Sequence, residues 1–505
     1  MTTSVFLAID LGTSSIKAAF VDEAGTMVAT ATVEYPLQYP HRDWVECDVR
    51  VYWESMRSAV RAANARRLAV GRTEVTAMSI SCQGETVVCL DADSQPLRPA
   101  IVWLDNRADA EADVIGTRFG NDEIYARTGQ VECVASWTAC KILWLQRHEP
   151  AIFNATRSFL LLEDWLIQRL TGEAAGEYSL YPTTLLFDIR SREWWPAMLE
   201  MLAIDDGLLP PLVQPGTAVG HLRVAIAGEL GLPSSLPVIA GGLDQVLAST
   251  AGGNVRPGVV TELTGTVLAL ATSLTALPPR EHMLPIYLHV IPELYCALPY
   301  GQTGGLLLRW LRDNCFGDPA RVSAPPSYDE IVQEAVAIPA GAGGVIVLPH
   351  FAGAYYPEFD MKCKGVISGL RLGHTRGHIV RASLEAIGYM LRSSVDAIRG
   401  IGIPVDDLTS LGPAANNRFW RQLKADICGV EIYRLKTDEA SLLGAAVLAA
   451  VACGRYSNIA EGVESMSSRI DPLTPSSASS EVYERQLIAY RTTYRQLAPY
   501  FQAAT

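Results

Sequence analysis

The chain has 505 residues, 49% hydrophobic and 19% charged, a composition that excludes disordered, collagenous and coiled-coil classes and leaves room for two cores. Its 41 basic and 54 acidic residues give a net charge of −13, which argues against a nucleic-acid surface. A phosphate site remains open, because backbone N–H groups and a metal can build one without net positive charge.

Met1 to Ser4 carries no basic lead, and Val5 to Ile9 is too short for a signal-peptide core. The longest apolar helical stretch, Leu442 to Cys453, falls short of a membrane span. Ten scattered cysteines without a C-x-x-C pair suit buried thiols in a reducing cytosol. The expectation is a cytoplasmic protein with no membrane and no nucleic-acid partner.

In chain order, Val5 to Ile9 reads as a buried strand, Gly12-Thr13-Ser14 as a turn and Ile16 to Val21 as a second strand. This is a hairpin, unlike a P-loop, where the glycine turn leads into a helix and carries Gly-Lys-Ser/Thr. Asp10 ends the first strand, where a carboxylate is costly unless paired or near a metal. Gly12, Thr13, Ser14 and Lys17 supply backbone approach and donors for an anion. Taken alone, the segment equally fits a tight polar turn with a capping aspartate.

A second strand, Pro237 to Ala240, ends in Gly241-Gly242-Leu243-Asp244-Gln245, which delivers an aspartate to a rigid strand end where a general base could be held. An Asx-capped turn is the other reading. Val259 to Leu263 then runs through Thr264-Gly265-Thr266 into Val267 to Ala271, a second hairpin with a Gly-Thr turn. The two hairpins suggest two related halves, divided near residue 250. Asp471 to Ser480 reads as a loop before a last amphipathic helix, about Glu481 to Gln502.

Together these motifs resemble the FGGY carbohydrate kinases, a group that includes glycerol kinase, xylulokinase and ribulokinase. Further marks are Trp44-Val45-Glu46 with Asp48 and Trp53, Gln83-Gly84-Glu85-Thr86, and Trp103 with Asp105 and Arg107. Leu170-Thr171-Gly172-Glu173, Gly304-Gly305 before Trp310, Arg381 with Glu385, Trp420 with Gln422 and Asp426, and Glu439 before Gly444-Ala445-Ala446 continue the series. The resemblance implies an α/β fold of two ribonuclease-H-like domains flanking a deep cleft. Residues 1–250 would be the sugar-binding lobe with the first phosphate hairpin, and 251–505 the nucleotide-binding lobe.

The activity implied is ATP-dependent phosphorylation of a primary hydroxyl of a ketopentose such as xylulose, a pentitol or a tetritol. Asp244 would be the catalytic base, and Gln83, Glu85, Trp103, Asp244 and Gln245 the substrate contacts. Asp10 would place Mg²⁺. Gly12, Thr13, Ser14, Lys17, Gly265, Thr266, Gly304, Gly305, Gly412 and Asn416 would surround ATP. A homodimer is an open assembly option.

The sequence also departs from the family. Glycerol kinase has Arg-Glu and xylulokinase Met-His where this chain has Gly84-Glu85, so Glu85 is expected to accept sugar hydroxyls and Gly84 to leave room for a longer carbon chain. Gly412-Pro413-Ala414-Ala415-Asn416-Asn417 replaces a run of three glycines and an alanine, and Gly353-Ala354-Tyr355-Tyr356-Pro357 lacks the family arginine. The altered Gly412–Asn417 segment keeps a second reading open, a nucleotide-gated sugar-binding regulatory protein on the same scaffold. His350, His374 and His378 read as structural or surface residues.

Overall fold

A computed structural model describes residues 3–71, 73–282, 284–316 and 326–503. It divides into two compact units: the first takes the chain up to Val255 with Ser273–Ala297 and Glu439–Ser467, and the second takes Arg256–Thr272, Leu298–Asp438 and the chain from Ser468 onward.

In the first unit, β1 (Thr3–Leu11), β2 (Ser15–Asp22) and β3 (Met27–Glu34) form a meander. The apolar run Val5–Ile9 is fully buried because helices cover its sheet. The β1–β2 turn is closed by Gly12 N–H donating to Ser15 O at 3.1 Å. Helix α1 (Val49–Val70) begins at Asp48, whose carboxylate accepts from Arg50 N at 2.9 Å. Next come β4 (Thr73–Cys82), α2 (Thr138–His148), α3 (Leu162–Thr171), β5 (Ala218–His221), β6 (Pro237–Leu243) and α4 (Asp244–Ala251). The sheet order is β5-β6-β4-β1-β2-β3, with β6, β4 and β1 parallel and the outer pairings antiparallel.

The Ala440–Ala452 helix packs against β1, β4 and α4. Its alanines and Gly444 permit that closeness: a Cβ at Gly444 would lie 2.3 Å from Leu247 O. This packing brings Glu439, some 430 residues from the first turn in sequence, to the carboxyl end of β1.

The second unit repeats the plan. Strands β7 (Val260–Thr264), β8 (Leu268–Leu274), β9 (Asp407–Leu411), β10 (Glu431–Leu435) and β11 (Arg469–Leu473) lie in the order β8-β7-β9-β10-β11. Again an antiparallel hairpin, β7–β8, adjoins two parallel neighbours, β9 and β10, and an antiparallel edge strand. The shared order in both units is the duplication that the two Gly-Thr hairpins suggested. The chain ends on a long helix, Ser480–Ala503.

All ten cysteines are free; Cys315 and Cys453 are exposed and Cys133 is half-buried, so the expectation of buried thiols holds only for the other seven. His350 is buried beside Tyr490, and His374 stacks on His378 with ring centroids 4.7 Å apart. Among the described residues no helix is long and apolar enough to cross a membrane.

Candidate active site at the strand ends of the first unit

Ligands of parallel α/β sheets gather at the carboxyl ends of the strands. Here β1, β4 and β6 end side by side. Ser81 of β4 is in register with Asp10 on one side and Gly242 on the other, and Asp244 follows two residues later at the first turn of α4.

Asp10 accepts a hydrogen bond from Ser81 Oγ at 2.7 Å. Burial raises its pKa; Ser81, the Lys17 ammonium and the Ser441 hydroxyl oppose that rise. Lys17 Nζ is 2.6 Å from Glu439 Oε2, so the lysine expected to meet phosphate is tied to a carboxylate.

Asp244 forms no ion pair among the described residues. Its Oδ1 accepts from Gln245 N–H at 2.7 Å. Burial, followed by the charge of Asp10, pushes its pKa up to about 7, with Glu85 adding to the rise. A carboxylate poised there divides its time between both protonation states at neutral pH, the condition for a general base.

Around this pair, Gln83 is buried, its Nε2 lies 3.5 Å from Tyr52 OH, and its Oε1 has no hydrogen-bond partner among the described residues. Glu85 is buried with φ at 54°, a left-handed backbone unusual for a side-chain-bearing residue. Its carbonyl is held by Lys141 Nζ at 3.0 Å, and the same ammonium reaches Val102 O at 3.0 Å. Burial raises the pKa of the Glu85 carboxyl, while the Thr183 hydroxyl and Lys141 act the other way. Trp103 donates Nε1–H to Thr13 Oγ1 at 2.9 Å and so bridges two predicted contact segments. Arg107 is a structural residue: it binds Asp105 through two nitrogens and also reaches Glu46.

The room foreseen beside Gly84 is not there. A Cβ on Gly84 would meet Leu243 Cδ1 at 3.3 Å and Thr183 Oγ1 at 3.7 Å, so neighbouring side chains already fill that space.

The sequence-predicted residues Gly265, Thr266, Gly304, Gly305, Gly412 and Asn416 lie in the second unit. Gly305 N–H donates to Gly265 O at 2.7 Å and Gly304 N–H to Thr266 O at 2.8 Å, which clamps two turns together. Gly265 N–H is taken by Val267 O at 2.9 Å. The glycines therefore shape the turns, and a Cβ at Gly265 would meet nothing within 4 Å, leaving that turn open to a ligand. Gly412, at φ 74° and ψ −178°, occupies a conformation open essentially to glycine alone. Pro413 opens the 3₁₀ turn Pro413–Asn416, where its fixed φ is compatible. Asn416 Nδ2 is engaged by the Asp438 carboxylate at 2.9 and 3.0 Å.

Ser81, Lys141 and Glu439 were not foreseen as site residues. Among the described residues no group of three or more His, Cys, Asp or Glu side chains is gathered for a metal ion.

Sequence profiles of the FGGY family of carbohydrate kinases match residues 5–251 with the N-terminal domain and 288–453 with the C-terminal domain. A xylulose kinase of Staphylococcus epidermidis is 31% identical over 501 residues, covering 98% of this chain and 97% of the relative. The chain belongs to the FGGY family of carbohydrate kinases. A glycerol kinase of Gloeobacter violaceus is 32% identical over 470 residues, covering 91% of this chain and 90% of that one. The crystal structure of a xylulose kinase from Rhodospirillum rubrum aligns with a TM-score of 0.88 at 27% identity, over 98% of this chain and 99% of that one. This FGGY kinase is thus a phosphotransferase with an alcohol acceptor, built on the family's two-domain α/β fold.

Proposed function

We infer that the protein transfers the γ-phosphoryl group of ATP to a primary hydroxyl of a small sugar or polyol, with a ketopentose such as xylulose as the favoured class. The observation that carries this reading is the Asp10–Asp244 pair at the ends of the two strands that flank β4, with Asp244 free of ion pairs among the described residues and its pKa pushed up to about 7. Relatives named xylulose kinase support the ketopentose, and the relative named glycerol kinase keeps shorter polyols in the test.

Asp244 accepts the hydroxyl proton as the hydroxyl oxygen attacks the γ-phosphorus. The bond from that phosphorus to the ADP oxygen breaks, and the proton leaves Asp244 to solvent after release of the sugar phosphate. One carboxylate suffices, because a loose phosphoryl-transfer transition state depends mainly on positioning and counter-charge. Gln83 Oε1, buried and without a protein partner, supports a substrate hydroxyl donating to it. Glu85, Trp103 and Gln245 complete the sugar contacts in this reading.

Asp10 alone carries the fit to a divalent cation: its carboxylate accepts from Ser81 and is opposed in its burial-driven pKa rise by Lys17 and Ser441, while Lys17 is itself paired with Glu439. Asp10 would hold Mg²⁺, which when bound offsets the negative charge of the phosphates. In the first unit Gly12 N–H is taken by the protein backbone, which leaves the hydroxyls of Thr13 and Ser14, with Lys17, as the phosphate donors; in the second unit Gly265, Gly304 and Gly305 are likewise engaged, which leaves the hydroxyl of Thr266. Gly412 and Asn416 fall to the nucleoside side. The reading assigns the sugar to the first unit and the nucleoside to the second, whose bounds depart from a single division near residue 250 because Ser273–Ala297 and Glu439–Ser467 belong to the first, and places the enzyme in the cytoplasm.

The regulatory alternative drew on the Gly412–Asn416 departure. That segment forms a regular turn, which gives the alternative no support. ADP release measured with xylulose, a pentitol, a tetritol and glycerol, with and without Mg²⁺, tests the proposal. Mg²⁺-dependent release with a ketopentose is expected. Sugar binding by thermal shift without ADP release from any candidate would favour the regulatory reading.

A further inference from the structure

Strand β6 does not run straight into Asp244. Its register against β4 shifts between Ile239, opposite Ser79, and Gly242, opposite Ser81, so Ala240 and Gly241 together face Ile80. This is a β-bulge, a device that re-aims the side chains that follow it. Gly241 lies so close to β4 that a Cβ would fall 1.5 Å from Ile80 O.

Two N–H groups at and just after the bulge donate to side chains. Gly241 N–H donates to Glu163 Oε1 at 2.7 Å, and Leu243 N–H donates to Ser179 Oγ at 2.9 Å. Ser179 in turn donates its hydroxyl to Glu177 Oε1 at 2.8 Å and its N–H to Glu177 Oε2 at 2.8 Å, and Leu180 N–H adds a further bond at 2.8 Å. Glu163, Ser179 and Glu177 are all 1% exposed or less. The phosphoryl-transfer step uses none of them.

We propose that Glu163 and Ser179, the latter anchored by Glu177, are positioning residues that brace the Gly241–Leu243 bulge and so aim the Asp244 carboxylate at the acceptor hydroxyl. The proposal rests on the reading of Asp244 as the base. Among the described residues Glu163 Oε2 has no hydrogen-bond partner. Burial, and the Glu177 carboxylate next to it, hold the Glu163 carboxyl well above the usual range, while burial takes Glu177 up to about 8. Glu163 therefore serves as a neutral acid whose Oε1 accepts one backbone proton. The brace requires an acceptor at that atom and no charge.

That requirement sets the test: steady-state kinetics of the full chain with Glu163→Gln, Glu163→Leu and Ser179→Ala. Glu163→Gln keeps the acceptor and should stay within about twofold of the parent in kcat. Glu163→Leu and Ser179→Ala should each lower kcat roughly ten- to a hundredfold, the scale of a small misplacement of a catalytic group, with sugar and ATP KM little changed. Equal damage from the Gln and Leu variants would overturn the neutral-acceptor role. Should Glu163→Leu fail to fold, Ser179→Ala decides, and full kcat there overturns the brace. Asp244→Asn separates the two failures: turnover surviving in that variant refutes the base, whereas an inactive Asp244→Asn beside a fully active Ser179→Ala refutes the brace alone.

Discussion

Asp10 and Asp244 sit at the ends of the two strands that flank β4, and burial raises the pKa of both, yet their neighbours differ. Asp10 accepts from Ser81, is approached by Ser441 and feels the Lys17 ammonium. Among the described residues Asp244 has only the N–H of Gln245 on its carboxylate, and the charges of Asp10 and Glu85 push against its ionisation. On the proposed reading, the same side chain is prepared for two tasks. Donors that favour the ionised form suit Asp10 to a cation, and their scarcity leaves Asp244 free to exchange a proton near neutrality.

The largest effect should come from removing the proton acceptor. Asp244→Asn should lower kcat roughly 10²–10⁴-fold with sugar binding retained, measured by ADP release and by thermal shift with sugar. The same variant should melt higher than the parent at pH 8. In the fold this carboxyl binds its proton up to about pH 7, whereas the unfolded chain releases it near 3.8, so ionisation weakens the fold as pH rises between those values. The gain in Tm should shrink as pH falls through this window and disappear below the unfolded value of 3.8, where both states are protonated.

Asp10→Asn should cost about 10²–10³-fold in turnover, on the scale of losing one strong electrostatic contact in a phosphoryl-transfer site, and should shift the Mg²⁺ dependence to higher concentration. Sugar affinity should hold. A collapse of sugar affinity with unchanged Mg²⁺ dependence would show that the two aspartates do not divide the work in this way.

Glu85→Gln should be smallest. Losing a charged acceptor costs on the order of 1.5–3 kcal/mol, roughly ten- to a hundredfold in kcat/KM. The loss should shrink for a deoxy analogue that lacks the contacted hydroxyl. Equal losses for every substrate, with a lower Tm, would assign Glu85 to structure, a role that its strained backbone and its Lys141 contact also fit.

The hairpins and both aspartates were legible because their signals are local. Val5–Ile9 and Ile16–Val21 are apolar runs broken by Gly12, and the structure extends them to Thr3–Leu11 and Ser15–Asp22. The partners that tune the aspartates come from elsewhere. Ser81 reaches Asp10 through the parallel pairing of β1 with β4, and Glu439 reaches Lys17 because the Ala440–Ala452 helix packs on that sheet. No local pattern announces such a pairing. Gly84 teaches the opposite lesson: a glycine reads as space in a sequence, but Leu243 occupies that space in the fold.

The pH dependence of kcat/KM for the phosphorylated sugar, measured between pH 5 and 9 at saturating Mg²⁺ in the parent enzyme and in Asp244→Asn, tests the central claim most directly. Because the base acts ionised, the parent should gain activity with rising pH through an apparent pKa near 7 and then level off, and this limb should be absent from the residual activity of the variant. A parent profile that is flat across that range, or the same rising limb in Asp244→Asn, would contradict the assignment of Asp244 as the proton acceptor.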